Sequence, residues 1–573
     1  MKKNVDVPES IFRDINYFQY MVQYQGDIEK EITKELGYYV TLINDEYAIL
    51  AVPKQEIEID IRKPIFSSIV YVKPSEMYTL QEISPIEASQ ANFVQANSPL
   101  NLTGKGVNVA IIDSGIDYLS DEFMKPNGET RVECIWDQTI ISDKEDVANT
   151  VPYGTVYTKS EIQDAIKAYG EGKSPYDIVP SKDEIGHGTN MAGIIGATGK
   201  NPNLKGVAPD CDFVVVKLLK DYAYEARFHV EVPVFNITSI FTALQFVYEY
   251  ALKNDKPMVI FIPLGSNFGN HKGNGILEEF IELILNSGSI VAVSGSGNQG
   301  GKGSHAFGIL SEVGAVGTTE LQVSPAQNDL WVEIWTDLPN IISLDIISPS
   351  GENTGIIPFV INSTELYTFT FEKTLIRVNF YLPEENSGDE LIRIRFYDLQ
   401  PGIWRFRLTA NAISNGRYDA WIPAEGITLG DTKFSSSDYY GTITNPGSSH
   451  YIVTAAAYNQ TNNNILNYSG RALVSDYIDV IDVAAGGVNA LTVAPNNQTS
   501  IVNGTSVSAA VVAGVCAMLF QWGIIDGNQP YMYSQTIKAY LAKGVNKRKG
   551  DFSPNPQWGY GMLNVLRLFE NLT

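Results

Sequence analysis

Cysteine is nearly absent: Cys134, Cys211 and Cys516 are the only three in 573 residues. They are too widely spaced for a metal-binding pattern and too few for a disulfide framework, so they read as buried free thiols in a reducing compartment. Long apolar runs are missing as well. The longest small and apolar stretch, from Val507 to Trp522, falls short of the about 20 residues a membrane-crossing helix needs, and Ser508 interrupts it. The amino terminus brings two lysines, then acids and a proline, with no apolar run of signal-peptide length. The expectation is a chain made in the cytoplasm, without a classical signal peptide or membrane span. Basic charge is scarce too, with 41 Lys and Arg against 65 Asp and Glu, a net charge of −24. That balance argues against binding nucleic acid or anionic lipid, which need a compensating basic surface.

Core material is ample. Hydrophobic residues make up 44% of the chain and charged ones 18%, which predicts a folded protein of about three to four domains. Residues 1–81 carry strand-like text (YFQYMVQY, then YYVTLINDEYAILAVP turning at Asn44-Asp45, then SSIVYVKPSEMYTL) and one short amphipathic helix, DIEKEITKEL, which predicts a small α+β unit. A connector rich in Pro, Ser, Asn and Gln follows from Glu82 to Gly106. From there to about residue 300, short buried strands alternate with helices. That order predicts an α/β fold, a mostly parallel sheet with helices on both faces. Between 310 and 440 the text is strands alone, separated by turns such as Pro349-Ser350-Gly351, as in a β-sandwich or jelly roll. The α/β pattern then resumes over 441–573. One α/β domain, 82–309 with 441–573, is thus interrupted by an all-β insertion.

Four positions carry chemistry. Asp113 ends the apolar run Val107–Ile112, where a parallel sheet presents ligands and catalysts; alone it reads more readily as a helix cap or salt-bridge partner. His187 lies between two glycines at the mouth of the helix MAGIIGA, unlike the other four histidines, and suits a general base. Ser506 opens the helix VSAAVVAGVCAMLFQW, so its hydroxyl is either near the positive end of a helix dipole or simply part of an N-cap with Thr505. Asn298 falls in Gly295-Ser296-Gly297-Asn298-Gln299-Gly300. This segment matches a dinucleotide-binding GxGxxG, with Glu320 beyond it, but no clear helix follows. In a hydrolytic reading the glycines admit a substrate backbone and the Asn298 amide donates to an oxyanion.

Together IIDSGID around Asp113, GHGTNMAG around His187, SGSGN around Asn298 and GTSVSAA around Ser506 resemble the subtilisin family of serine peptidases, in that family's chain order. The resemblance spans about residues 1–300 and 445–573. It implies a propeptide, an α/β catalytic domain and endopeptidase activity. Ser506 is then the nucleophile, His187 its base, Asp113 the orienting carboxylate, and Asn298 with the Ser506 amide the oxyanion hole. Substrate would pair as an added strand with Leu264, Gly265 and Ser266, and Gly295 and Gly297 would wall the first pocket. Pro263, Asn190, Val507 and Ala510 depart from the family pattern without removing a catalytic group, although Pro263 has no N–H to offer substrate.

The N-terminal unit and the β insertion make the chain similar to the clostridial germination-specific subtilisin-like proteases, the Csp group. That resemblance implies a spore-associated enzyme whose partner is the proenzyme of a cortex-lytic hydrolase, and a propeptide bound in cis. Autocleavage is expected between Gln81 and Glu82, with Gln95–Ala96 as second choice. The group also contains catalytically silent germination-signal sensors, which is the rival reading. Calcium is common in the wider family, and Glu122 with the loop Asn201–Lys205 stands where it would bind; the sequence assigns no metal and no cofactor. The insertion reads as a clamp or as a docking module, with Trp331, Trp335, Trp404 and Trp421 either its core or a binding platform.

Overall fold

In the strand Asn108–Asp113, Val109 and Ile111 pack into one hydrophobic cluster while Ala110 and Ile112 pack into another. A strand buried on both faces is apolar over most of its length, as Val109–Ile112 are here, and this one lies near the middle of the main sheet. The computed structural model describes residues 7–32, 37–54, 64–73, 76–80, 87–96, 100–141, 151–230 and 232–572. In it the sheet runs Val545–Asn546, Met562–Leu563, Val483–Gly486, Val453–Asn459, Ile290–Gly295, Met258–Phe261, Asn108–Asp113, Asp212–Lys217, Val132–Asp137, Thr155–Thr158. Along this path all neighbours are parallel except the two outermost pairs, which are antiparallel, and an eleventh strand, Asn464–Ile465, pairs antiparallel with the end of Val453–Asn459.

Helices His187–Gly196 and Thr505–Phe520 cover one face, and Ile237–Asn254 and Ile276–Leu285 the other. The segment Thr505–Ile525 is long and apolar enough to cross a membrane, yet 89% of its most apolar window is buried inside the fold, where it serves as the central core helix. The three cysteines are buried free thiols.

The N-terminal unit is a four-stranded antiparallel sheet ordered Tyr39–Leu42, Tyr47–Pro53, Tyr17–Tyr24, Ile69–Lys73, with the short helix Ile28–Ile32. Its hairpin turns at Asn44, whose Oδ1 accepts the Glu46 and Tyr47 N–H groups. The insertion consists of two antiparallel sheets of six and four strands around one apolar core, and its first strand, His305–Ile309, begins a little earlier than expected. Trp331, Trp335, Trp404 and Trp421 are all buried, so they belong to cores and do not form an exposed platform.

All three units meet in one place. Phe18, Tyr20 and Val22 of the N-terminal sheet share a hydrophobic cluster with Tyr224 and Phe268 of the α/β domain and Trp331 of the insertion. Trp331 packs against the rings of Tyr224, Phe228 and Phe268 at centroid distances of 5.6, 5.1 and 5.7 Å. Beside it lies a buried ion cluster. Glu333 Oε1 accepts Arg393 Nε and Nη2 at 2.9 and 2.8 Å, and Oε2 accepts Trp335 Nε1 and the Gly269 N–H, both at 3.0 Å. Lys73 pairs with Glu76 close by. Burial raises the pKa of Glu333, but Arg393 and Lys73 outweigh it and hold the carboxyl below its usual range. Burial pushes Glu278 up to about 7, against the opposing pull of Lys73.

Breaking a buried pair leaves a charge uncompensated, whereas removing both partners does not. Arg393→Met is therefore expected to lower the unfolding free energy by about 3–5 kcal/mol in urea melts, and Glu333→Met/Arg393→Met to recover most of it. Equal losses in the single and double variants would refute a coupled pair.

Candidate active site

A buried carboxylate at a strand end must be satisfied locally. Asp113 has no solvent exposure; its Oδ1 accepts the Ser114 N–H at 2.5 Å and its Oδ2 lies 2.7 Å from His187 Nδ1. Neither the cap nor a lysine or arginine partner accounts for it: its side-chain partner is the imidazole. His187 starts its helix after Gly186, whose φ of 85° only glycine adopts freely. Gly188 lets the helix lie against the turn after Asp113, since a Cβ there would sit 2.1 Å from the Gly115 carbonyl oxygen.

A second buried carboxylate, unforeseen in the sequence, locks this arrangement. Asp183 Oδ1 accepts Ser114 Oγ at 2.8 Å and the Gly186 N–H at 2.7 Å, and Oδ2 accepts the Thr189 N–H at 2.8 Å and its hydroxyl at 2.7 Å. Ser114 Oγ in turn accepts the Gly188 N–H at 3.0 Å. The strand end with Asp113 and the helix mouth with His187 are thus tied through Asp183. Its spacing, four residues before His187, was the only signal available.

Ser506 is the second residue of Thr505–Phe520 and is fully buried. Gly504 occupies the cap position and makes no side-chain cap bond, so neither Thr505 nor Ser506 is the N-cap. Ser506 Oγ has no hydrogen-bond partner among the described residues. Asn298 stands beside it: Oδ1 accepts the Thr505 N–H at 3.2 Å and the Thr505 hydroxyl at 3.1 Å. With the carbonyl end of the amide so engaged, the Asn298 side chain offers N–H donors near the start of the helix. The dinucleotide reading fails here. No helix opens on Gly295–Gly300, the next element is the strand His305–Ile309, and Glu320 pairs with Arg405 at 2.8 Å in the insertion.

The segment Met77–Leu80 of the N-terminal unit is the middle strand of a three-stranded sheet. On one side Thr79 pairs antiparallel with Gly265 and Leu80 with Leu264. On the other, Thr79, Tyr78 and Met77 pair with Val234, Phe235 and Asn236, a partner strand the sequence did not reveal. Ser266 faces elsewhere, exchanging backbone hydrogen bonds with Asn445 at 3.0 and 2.8 Å. Gly295 pairs with Ala455 inside the main sheet. Gly297 has φ 89° and would place a Cβ 2.5 Å from Thr444 Oγ1, so an interior neighbour already requires glycine there. Gln81 and Glu82 lie outside the described residues. Gln95 is buried in the helix Ala91–Ala96, where its amide donates to the Gly206 and Val207 carbonyls at 2.9 and 2.8 Å.

A buried imidazole–carboxylate pair, a helix-mouth serine, a neighbouring asparagine amide and a peptide strand paired alongside form an arrangement suited to acyl transfer. The profile of the subtilase family matches residues 104–326 and 412–561, more than half of the chain, and spans all four positions. The chain belongs to the subtilase family. The break in this subtilase's match, 327–411, falls within the two-sheet insertion. The subtilase is similar in structure to the CspB protease of Clostridium perfringens, with a TM-score of 0.75, 30% identity, and coverage of 85% of this chain and 98% of that one. It is 22% identical over 364 residues to the PIII-type proteinase of Lactococcus lactis subsp. cremoris (strain SK11) and 24% identical over 246 residues to the minor extracellular protease Vpr of Bacillus subtilis (strain 168). Those matches cover 62% and 42% of this subtilase, but only 16% and 24% of the two curated relatives.

Asp183→Ala would strand several buried donors, each unmade bond costing about 1–3 kcal/mol. We expect a destabilised variant in which the NMR signal of the His187 Nδ1 proton, bonded to Asp113, broadens through exchange. A sharp, unshifted signal would contradict the role given to Asp183.

Proposed function

We propose that this subtilase is a serine endopeptidase in which Ser506 is the nucleophile, His187 the general base and Asp113 the group that orients the imidazole. The observation that carries the reading is the strand Met77–Leu80, laid antiparallel on Leu264–Gly265 and Val234–Asn236 as a peptide substrate would lie. Nε2 of His187 is the ring nitrogen turned away from Asp113. It takes the Ser506 proton as Oγ bonds to the carbonyl carbon, and the carbonyl electron pair moves onto oxygen. Nδ2 of Asn298 and the Ser506 N–H stabilise that oxyanion. Collapse expels the amine, which receives the proton from Nε2 and leaves an ester on Ser506. Water then repeats the sequence and releases the acid.

Residues 1–81 act as a propeptide, cut in cis between Gln81 and Glu82 and retained as chaperone and inhibitor. Support comes from the strand register: Leu80 pairs with Leu264, and Gln81 is the next residue along the chain. The proposed protein substrate is a hydrolase proenzyme of the spore cortex, activated by limited proteolysis during germination, and the enzyme itself is spore-associated. The N-terminal unit, the β insertion and the likeness to the CspB protease across 98% of that chain support this assignment. A silent germination sensor is the second reading, favoured by the lack of a hydrogen-bond partner for Ser506 Oγ among the described residues.

Intact-mass measurement decides between them. The freshly purified wild type is expected as two fragments whose masses fix the cut after Gln81, and Ser506→Ala, with turnover reduced by about 10⁶, as one full-length chain. Two uncut chains would favour the sensor.

A further inference from the structure

Glu122 and the loop after His187–Gly196 are where the family resemblance places a calcium ion, and the donors present there do not fit one. Both oxygens of the Glu122 carboxylate already accept amides: Oε1 from the Asn201 N–H at 2.7 Å, Oε2 from the Gly199 and Lys200 N–H groups at 2.7 and 3.1 Å. Calcium takes about six to eight oxygen ligands, and three N–H donors converging on one carboxylate occupy the space from which such ligands would act. The loop side chains offer little else. Residues 199–205 contain two lysines and two asparagines but no carboxylate, Asn201 Oδ1 already accepts the Asn203 N–H at 3.2 Å, and the Lys200 ammonium pairs with Asp121 at 2.5 Å.

A cation is nevertheless built into this corner. Arg131 is 1% exposed, a rare burial for a guanidinium. Its Nη1 donates to the Cys211 carbonyl at 2.7 Å. Its Nη2 lies 2.7 Å from the Glu122 carbonyl oxygen, 2.5 Å from that of Gly196 and 2.9 Å from Thr198 Oγ1. Three backbone carbonyls from three separate stretches of chain thus converge on one fixed positive charge, and backbone carbonyls are also a calcium donor type. One of them, Gly196 O, belongs to the last residue of the helix that begins with His187, the end of a helix dipole that favours a cation. Phe213 supports the guanidinium from its ring face at 5.3 Å.

We infer that Arg131 is the resident cation of this loop, cross-linking the carboxyl end of the His187 helix to Glu122 and Cys211 so that the segment holds its shape without calcium. Anything that binds only the folded state raises the melting temperature, so calcium independence is directly measurable. The test uses full-length protein carrying Ser506→Ala, to prevent self-digestion, dialysed against EDTA and then compared with and without millimolar CaCl₂. Lys200 and Lys205 lie in the loop and report on it through limited trypsin digestion. The expected result is one melting temperature and one rate of cutting at these lysines, with or without calcium. Adding Arg131→Lys, or the harsher Arg131→Gln, should lower the melting temperature and speed cutting there by about tenfold or more, because local opening becomes easier, and calcium should not reverse it. A calcium-induced rise in melting temperature or protection of Lys200 and Lys205 that Glu122→Gln abolishes would overturn the inference. So would unaltered cutting in Arg131→Lys, which keeps the charge and is the variant more certain to fold.

Discussion

The bond between Asp113 Oδ2 and His187 Nδ1, 2.7 Å long and sealed from water, sets the terms for the surrounding structure. A carboxyl group buried after the apolar run Val109–Ile112 is costly unless its oxygens are engaged. The Ser114 amide takes one and the imidazole the other, so the helix mouth must come to the strand end. Glycine at 188 permits that approach, Asp183 holds it, and Arg131 pins the far end of the same helix. The ten-residue helix is therefore hydrogen-bonded by a buried side chain at each end, Asp183 at the first turn and Arg131 at the last carbonyl.

The second constraint is shared burial. The N-terminal unit places its strand Met77–Leu80 between Val234–Asn236 and Leu264–Gly265, and its sheet face against Tyr224, Phe268 and Trp331. The strand is held by backbone pairing on both of its edges. The sheet face cannot leave without exposing apolar surface on all three units. Lys73 adds a charged contact near Glu333 and Glu278 at the same junction. The insertion touches the N-terminal sheet through Trp331 and through Tyr71 with Glu384, so the two units share one buried junction.

Much of this was legible in the sequence for physical reasons. Asp113, His187, Asn298 and Ser506 each sit where a strand ends or a helix begins, and glycine beside them marks backbone that must approach something closely. The parallel sheet followed from alternating buried strands and helices, and the turn at Asn44 from its residue type. What was hidden depends on distant partners. Asp183 lies in loop text with no periodicity, Val234–Asn236 is too short to register as a strand, and Arg131 looks like any surface arginine until Glu122, Gly196 and Cys211 surround it. Whether Ser506 was a cap could be decided only from the backbone at Gly504, and the placement of four tryptophans only from which sheet faces meet.

The central claim is that His187, held by Asp113, activates Ser506. The most direct measurement is labelling with an organophosphonate that reacts only with an activated serine, followed by peptide mapping, on the protein and on its His187→Ala variant, both carrying Thr79→Pro, which removes a backbone N–H from the strand Met77–Leu80 and loosens it from its two partners. The account predicts one adduct, on Ser506, in the parent and none in the variant. An unlabelled parent, or equal labelling without His187, would contradict it.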